Sequence, residues 1–124
     1  MLGDFDAIAT VSVKDINVAK KFYESQLGLK PAPSDEPTVL MYKSGRSTVL
    51  VYKSPNAGTN KATGINWFVD DVDKTVAELR AKGVVFEHYD LPGLTLKGDV
   101  HVAADFKSAW FKDPDGNILA VMSR

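Results

Sequence analysis

Two groups of residues in this chain have the chemistry for catalysis or metal binding: the paired aspartates of the segment DPDG (residues 113–116) and two histidines. A calcium loop would need further oxygen ligands at fixed spacing, ending in a distal glutamate. The residues after Gly116, from Asn117 to Met122, include no acid. Asp-Pro followed by Asp-Gly is typical of a turn, because proline presets φ and glycine accepts a positive φ. We interpret the segment as a turn between two strands.

The histidines are His88, in FEHYD, and His101, in DVHVA. Histidine titrates near neutral pH, so either residue suits a pocket donor or a general base. Each also fits an ordinary strand or loop position without a functional role. Their separation of 13 residues matches no metal-ligand spacing. Both interpretations stay open, and no metal pair is predicted.

Composition and charge narrow the classes of function. The 124 residues suffice for one domain with a hydrophobic core. The absence of cysteine excludes disulfides, thiolate metal sites and thiol nucleophiles. A formal net charge of −1 with scattered basic residues argues against nucleic-acid and anionic-membrane partners. The N-terminal residues have neither a basic leader nor a long apolar run, so we expect a soluble, cytoplasmic protein.

The first part of the chain, about residues 5–55, alternates strand and helix signals. Residues 7–13 predict a strand. Asp15 is the expected N-cap of a helix over residues 16–27, and Gly28 is the expected end of that helix. Residues 38–43 and 47–53 flank Ser-Gly-Arg and predict a β-hairpin. Three prolines weaken the strand expected between the helix and this hairpin.

The second part, about residues 63–124, repeats this order after a polar linker over residues 54–64. A strand over 65–70 leads to a helix capped by Asp71 and ended by Gly83, followed by a strand over 84–90. Residues 91–106 form a mixed loop, with a short strand inside it as an alternative. The segment YKSGRSTVLV then corresponds to FKDPDGNILAV, a second hairpin. The pattern predicts an α+β fold in which two βαβββ modules pair within one domain of residues 1–124.

Three stretches together resemble the vicinal oxygen chelate superfamily, which includes glyoxalase I, extradiol dioxygenases, and the fosfomycin- and bleomycin-resistance proteins. They are VSVKDINVAKKFYESQLGLK (11–30), FVDDVDKTVAELRAKGV (68–84) and WFKDPDGNILAV (110–121). The resemblance extends from about residue 8 to residue 122. It implies paired modules whose sheets curl around a central pocket, usually with two chains forming a homodimer.

The resemblance also implies where a metal ion would bind. Metal-using members place His, Glu or Gln at four pocket-facing strand positions. In this chain those positions correspond to Ile8, to Leu50 or Val51, to Gly64 or Ile65, and to Ala120. None of these side chains offers a lone pair, and among their neighbours only Asn66 could coordinate, weakly. The resemblance therefore implies a member without the family's metal, and we predict neither a metal nor another cofactor.

Strand alternation from these positions predicts the lining of the pocket. The first set is Ile8, Thr10, Ser12, Leu50, Tyr52, Asn66, Phe68, Ala120 and Met122. Either Trp110 or Phe111 joins them, and His88 and His101 are further candidates.

Apolar walls with a few hydroxyl and amide groups suit an apolar or aromatic organic ligand. We therefore predict a metal-independent small-molecule-binding homodimer that resembles the bleomycin-resistance proteins. The alternative is a glyoxalase- or dioxygenase-like enzyme with displaced metal ligands drawn from His88, His101, Glu87, Asp90 and Asp99. A third possibility is a structural dimer whose pocket is filled by its own side chains.

Overall fold

The computed structural model describes residues 1–123, and its first module is a four-stranded sheet with one helix. A short 3-10 turn (Leu2–Asp4) precedes this module. The sheet has the order β1-β4-β3-β2, with β1 parallel to β4 and the other pairs antiparallel. Its elements are β1 (Ala9–Val13), α1 (Ile16–Lys20, continued by π-helical residues Lys21–Gln26), β2 (Lys30–Ala32), β3 (Val39–Ser44) and β4 (Ser47–Lys53).

The second module forms a six-stranded sheet in the order β5-β10-β9-β8-β7, with β6 pairing only with β9. Strand β6 meets β9 as β2 meets β3 in module one, so the hairpin β7–β8 is an insertion into the repeated plan. The fold is therefore α+β with two βαβββ modules, as predicted. Its elements are β5 (Thr63–Phe68), α2 (Val72–Ala81), β6 (Phe86–Glu87), β7 (Thr95–Lys97), β8 (Val100–Ala103), β9 (Phe106–Lys112) and β10 (Ile118–Met122).

Both helices begin and end as the sequence predicts. The Asp15 carboxylate accepts hydrogen bonds from the backbone amides of Asn17 and Val18, at 2.8 and 3.2 Å. The Asp71 carboxylate accepts one from the Lys74 amide at 3.0 Å. These bonds satisfy amides that have no partner within the helix. Gly28 follows α1 with φ of 74°, the left-handed conformation that stops a helix.

The stretch between α2 and the last hairpin differs from the prediction. The strand expected over residues 84–90 covers only Phe86–Glu87, and residues 91–106 contain two strands, β7 and β8, where the sequence indicated at most one short strand. The pairing explains the short strand, because β6 and β8 share one edge of β9 and β6 has partners only at Trp110 and Phe111. The insertion is thus the main departure of module two from module one.

One hydrophobic cluster joins the two modules on the side of the sheets that carries the helices. It contains alternate strand residues such as Val11, Val51 and Leu119, packed with Phe22 of the first helix and Val76 of the second. The opposite side of each sheet carries no helix, and we call it the open face. No helix among residues 1–123 combines the length and apolar character needed to cross a membrane.

Candidate functional site

The open face of module one is defined by the parallel pairing of β1 with β4. Thr10 pairs with Leu50, and Ser12 pairs with Tyr52. The intervening residues Val11 and Val51 are buried in the core. Leu50, not Val51, therefore lies on the open face. Ile8, just before β1, is 46% exposed, and Tyr52 is 38% exposed.

The open face of module two is built around β10. Ala120 pairs with Asn66 on one side and with Trp110 on the other. Met122 pairs with Phe68 and with Ser108. Trp110 therefore belongs to this face, whereas Phe111 is buried in the core with Leu119. The pairing settles the choice between Trp110 and Phe111 that the sequence left open.

A β-bulge at Gly64 changes one expected position on this face. Ile118 pairs with Thr63, but the next residue, Leu119, pairs with Ile65. Thr63 thus lies beside Ile118, on the face of Ala120, in the place that simple alternation assigns to Gly64. A glycine inside a strand often marks such a bulge, so the sequence carried this signal.

The indole of Trp110 lies across β10. Its Nε1 donates a hydrogen bond to Thr63 Oγ1 at 3.2 Å, and Thr63 belongs to β5, two strands away from β9. The strand between them is β10, where Ala120 is fully buried. A longer side chain at position 120 would need the space that the indole occupies.

These residues do not fit the metal site that the resemblance implies. The residues at the expected metal-ligand positions are Ile8, Leu50, Ala120 and the bulged Gly64 with its neighbour Thr63. None of them offers an imidazole or a carboxylate. The indole of Trp110 also covers Ala120. Within residues 1–123, no group of three or more His, Cys, Asp or Glu side chains lies close enough to hold a metal ion.

Three aromatic rings gather beside Ala120. Ring centroids of Tyr89 and His101 are 6.2 Å apart and stacked, and those of His101 and Trp110 are 4.9 Å apart at 81°. Tyr89 and Trp110 meet edge to face at 5.6 Å. Such offset and edge-to-face pairs are favourable geometries for aromatic rings. We call Tyr89, His101 and Trp110 the aromatic cluster.

His101 is the fully buried centre of this cluster, and one side of its ring is fixed by the backbone. The Tyr89 amide donates to His101 Nε2 at 3.0 Å, and the Tyr89 carbonyl oxygen lies 3.1 Å from the same nitrogen. An amide N–H can only donate, so Nε2 accepts and we assign the imidazole proton to Nδ1. The proton is then carried by the nitrogen that faces away from the backbone.

Three buried polar atoms in this region lack a hydrogen-bond partner among the described residues: Tyr89 Oη, His101 Nδ1 and Ser108 Oγ. His101 and Ser108 are register partners on β8 and β9. An unsatisfied buried polar group costs about 1–3 kcal/mol. All three atoms belong to residues near Trp110, so hydrogen-bonding capacity is left unused in this part of module two.

Sequence reasoning missed Thr63, Tyr89 and Ser108. Ser108 lies two residues before Trp110 on β9, so alternation starting at Trp110 would have found it. Tyr89 follows the end of β6, and no periodic pattern assigns its direction. Its position depends on the contact between its backbone and His101.

His88 does not belong to this site, contrary to its inclusion among the pocket candidates. Its Nε2 lies 2.8 Å from Asp99 Oδ1, and Arg80 of α2 donates to Asp99 Oδ2 at 2.8 Å. Hydrogen bonds from His88 and Arg80 hold the pKa of Asp99 below its usual value. His88 is thus tied to the helix side of the sheet, in an exposed network. Glu87, another candidate for a displaced metal ligand, instead pairs with Lys112 at 3.1 Å.

Comparison with known proteins identifies the family of this chain. Residues 5–121 match the model of the Glyoxalase/Bleomycin resistance protein/Dioxygenase superfamily. A comparison with curated protein sequences gives no significant match. The chain belongs to the Glyoxalase/Bleomycin resistance protein/Dioxygenase superfamily.

Solved structures show the same fold at low sequence identity. Lactoylglutathione lyase from Agrobacterium tumefaciens is 20% identical, with a TM-score of 0.69 over 96% of this chain and 92% of that one. A fosfomycin resistance protein from Listeria monocytogenes is 15% identical, with a TM-score of 0.72 over 97% and 93%. A glyoxalase/bleomycin resistance protein from Streptomyces sp. CB03234 is 22% identical, with a TM-score of 0.64 over 94% and 98%. At these identities the likeness establishes the fold alone.

Proposed function

We propose that this chain binds a small organic molecule at the open face of module two without a metal ion, like bleomycin-resistance-type members of the superfamily. The observation that carries this proposal is the set of three unpartnered buried polar atoms, Tyr89 Oη, His101 Nδ1 and Ser108 Oγ, beside the rings of the aromatic cluster. An aromatic ligand with a hydrogen-bond acceptor that opens this buried cluster would gain both ring contacts and a bond from His101.

Metal independence rests on the side chains present. The expected metal-ligand position in β10 holds Ala120, and the indole of Trp110 lies over it. Three of the five candidates for a displaced site have other partners: His88 pairs with Asp99, and Glu87 pairs with Lys112. Binding energy would therefore come from burial of apolar surface and a few hydrogen bonds.

We further propose that two chains associate through their open faces to complete the pocket. The apolar side chains of Ile8, Tyr52 and Phe68 are 46%, 38% and 58% exposed. Apolar side chains grouped on one face are typical of an interaction surface. The oligomeric state measured by light scattering tests this: a dimer that Tyr52→Glu converts to monomer supports it, and a wild-type monomer contradicts it.

Ligand binding can be tested with Trp110 as an optical reporter. The chain has two tryptophans, so Trp67→Phe leaves Trp110 as the sole one. We expect some members of a library of aromatic compounds with hydrogen-bond acceptors to quench Trp110 fluorescence and to raise the melting temperature. Each such compound should also bind protein prepared without added metal and treated with a chelator.

The two histidines provide a matched pair of variants. His101→Phe keeps a ring but removes the Nδ1 donor, and it should weaken binding about tenfold. His88→Phe makes the same change outside the site and should leave affinity unchanged. Equal effects of the two variants, or a stoichiometric metal ion required for binding, would contradict the proposal. Circular dichroism of both variants checks that each is folded.

A further inference from the structure

A cavity of about 330 Å³ lies between the two modules, on the side of the sheets that carries the helices. This volume is within the usual range for small-molecule sites. Three segments line it: the turn after the first helix (residues 27–30), the tip of the β3–β4 hairpin (residues 43–45) and the core-facing side of module two. The cavity is separate from the open face, because Val121, which lines it, alternates with Ala120 along β10.

The two helices fill the interior to different extents. The helical segment of module one brings Phe22 and Tyr23 into the core, where their rings stack with centroids 5.1 Å apart. Helix α2 contains no aromatic residue, and the residues it contributes to the cavity are Thr75 and Leu79. Space for a ligand is therefore left beside α2.

The other walls of the cavity are apolar, and one hydrogen-bond donor is free among them. The strands of module two contribute Trp67, Val69, Phe111 and Val121. Trp67 Nε1 donates to Ser44 Oγ at 2.8 Å. The Ser44 oxygen accepts this bond, so its own hydroxyl proton remains available to an acceptor. The hydroxyl of Thr75 already donates to the Asp71 carbonyl oxygen at 2.9 Å, so Ser44 is the donor that the cavity offers to a ligand.

The charged residues that border the cavity direct their side chains away from it. They are Lys30 and Lys43, which pair with each other across β2 and β3. Lys43 alternates with Ser44, whose side chain reaches Trp67, so both lysine side chains point to the opposite side of this sheet. An ion that leaves water without gaining an opposite charge is strongly disfavoured. The cavity therefore favours a neutral ligand.

We propose that this cavity binds a neutral, flat aromatic molecule that carries one hydrogen-bond acceptor. The ring packs against Trp67 and the aliphatic walls, and the acceptor receives a hydrogen bond from the Ser44 hydroxyl. The apolar walls select the ring, and Ser44 selects the acceptor. The site does not depend on the ligand proposed for the open face. Each site also has its own tryptophan, Trp67 here and Trp110 there.

The test compares three naphthalenes in Trp110→Phe, in which Trp67 is the sole tryptophan. The neutral ketone 2-acetylnaphthalene should quench Trp67 emission and raise the melting temperature. Its isostere 2-isopropenylnaphthalene lacks the acceptor and should bind about fivefold more weakly. The anion 2-naphthoate should bind about tenfold more weakly than the ketone, because the cavity offers it no opposite charge. No binding of the ketone, or a preference for naphthoate, would overturn the proposal.

Two variants locate the ligand in the cavity. Ser44→Ala should weaken binding of the ketone about fivefold and leave binding of 2-isopropenylnaphthalene unchanged. Leu79→Phe extends a larger side chain from α2 into the cavity and should weaken both compounds about tenfold. The matched control is Leu91→Phe, which makes the same change at an exposed position outside the cavity and should keep the parent's affinity.

The variants also define the results that would contradict the proposal. Equal losses in Leu79→Phe and Leu91→Phe would overturn it, because the ligand would not occupy the cavity. An unchanged ketone affinity in Ser44→Ala would overturn the selection of the acceptor by that hydroxyl. A ketone response that appears only in Trp67→Phe, where Trp110 reports, would place the ligand at the open face and overturn the cavity site. Circular dichroism checks that each variant is folded, and the comparison of the three naphthalenes needs no change within the cavity.

Discussion

The hairpin turns of the two modules occupy equivalent positions but connect the modules in different ways. In the alignment of YKSGRSTVLV with FKDPDGNILAV, Ser44 corresponds to Asp113. Each residue contacts the other module: Ser44 accepts a bond from Trp67, and Asp113 accepts one from Tyr23 at 2.7 Å. The modules are thus joined at two places by turns that share one origin in the repeat.

The two contacts differ in burial and in the number of hydrogen bonds. Asp113 is 4% exposed, and it accepts bonds from the Tyr23 hydroxyl, the Asn117 side chain and the amides of Asp115 and Asn117. Ser44 accepts one bond from Trp67 and lines a cavity of about 330 Å³ between the modules. One side of the module interface is therefore tightly closed, and the other leaves room for a ligand.

The largest effect is expected from Asp113→Ala. It removes the acceptor of four hydrogen bonds and leaves the Tyr23 hydroxyl and the Asn117 side chain buried without it. We expect a loss of about 3–4 kcal/mol in the free energy of unfolding, measured by urea denaturation. Asp113→Asn keeps one side-chain acceptor and should lose less. A loss below about 1 kcal/mol for Asp113→Ala would mean that this turn does not anchor the modules.

The sequence predicted the turn at Asp113 but not its role. Asp113 connects the β9–β10 hairpin to Tyr23 in the helical segment that continues α1, and Asp115 Oδ2 accepts from the Lys14 amide at 3.2 Å. Turn chemistry is local and depends on four adjacent residues. The bond to Tyr23 spans 90 positions in the chain, and no spacing rule indicates it.

Local sequence signals predict much of the fold, whereas the candidate site depends on contacts between residues that are far apart in the chain. Helix caps at Asp15 and Asp71 follow from neighbouring residues, and the structure confirms both. His88 and His101 looked alike in the sequence, because their difference arises from the pairing of β8 with β9 and from the backbone of Tyr89. Strand alternation predicted that Thr10 shares a face with Leu50, as the register shows. Ligand binding by these residues stays a prediction.

A second prediction concerns Tyr23, the residue of module one whose hydroxyl donates a hydrogen bond to Asp113. Burial, reinforced by the Asp113 carboxylate, raises the pKa of Tyr23 far above its usual value. The unfolded chain ionises this phenol near pH 10, whereas the folded chain keeps it protonated. Its contribution to stability is therefore complete below about pH 10 and decreases as the pH rises further.

Tyr23→Phe should cost about 1–2 kcal/mol at pH 7, because Asp113 loses one donor. Between pH 10 and 11 the variant should lose about 1 kcal/mol less stability than the parent, since it has no phenol to ionise at that position. Urea denaturation at each pH measures both effects. Identical alkaline curves for Tyr23→Phe and the parent would show that Tyr23 ionises alike in both states.

The smallest effect is expected from Ser44→Ala, the equivalent of Asp113→Ala in the open part of the interface. Trp67 Nε1 loses its acceptor, but it borders the cavity, where water can replace the serine oxygen. We expect a loss of at most about 1 kcal/mol in the free energy of unfolding. In the Trp110→Phe background, the emission of Trp67 should shift to longer wavelength as water becomes its partner. A loss as large as that of Asp113→Ala would show that both turns anchor the modules equally, and the comparison would then fail.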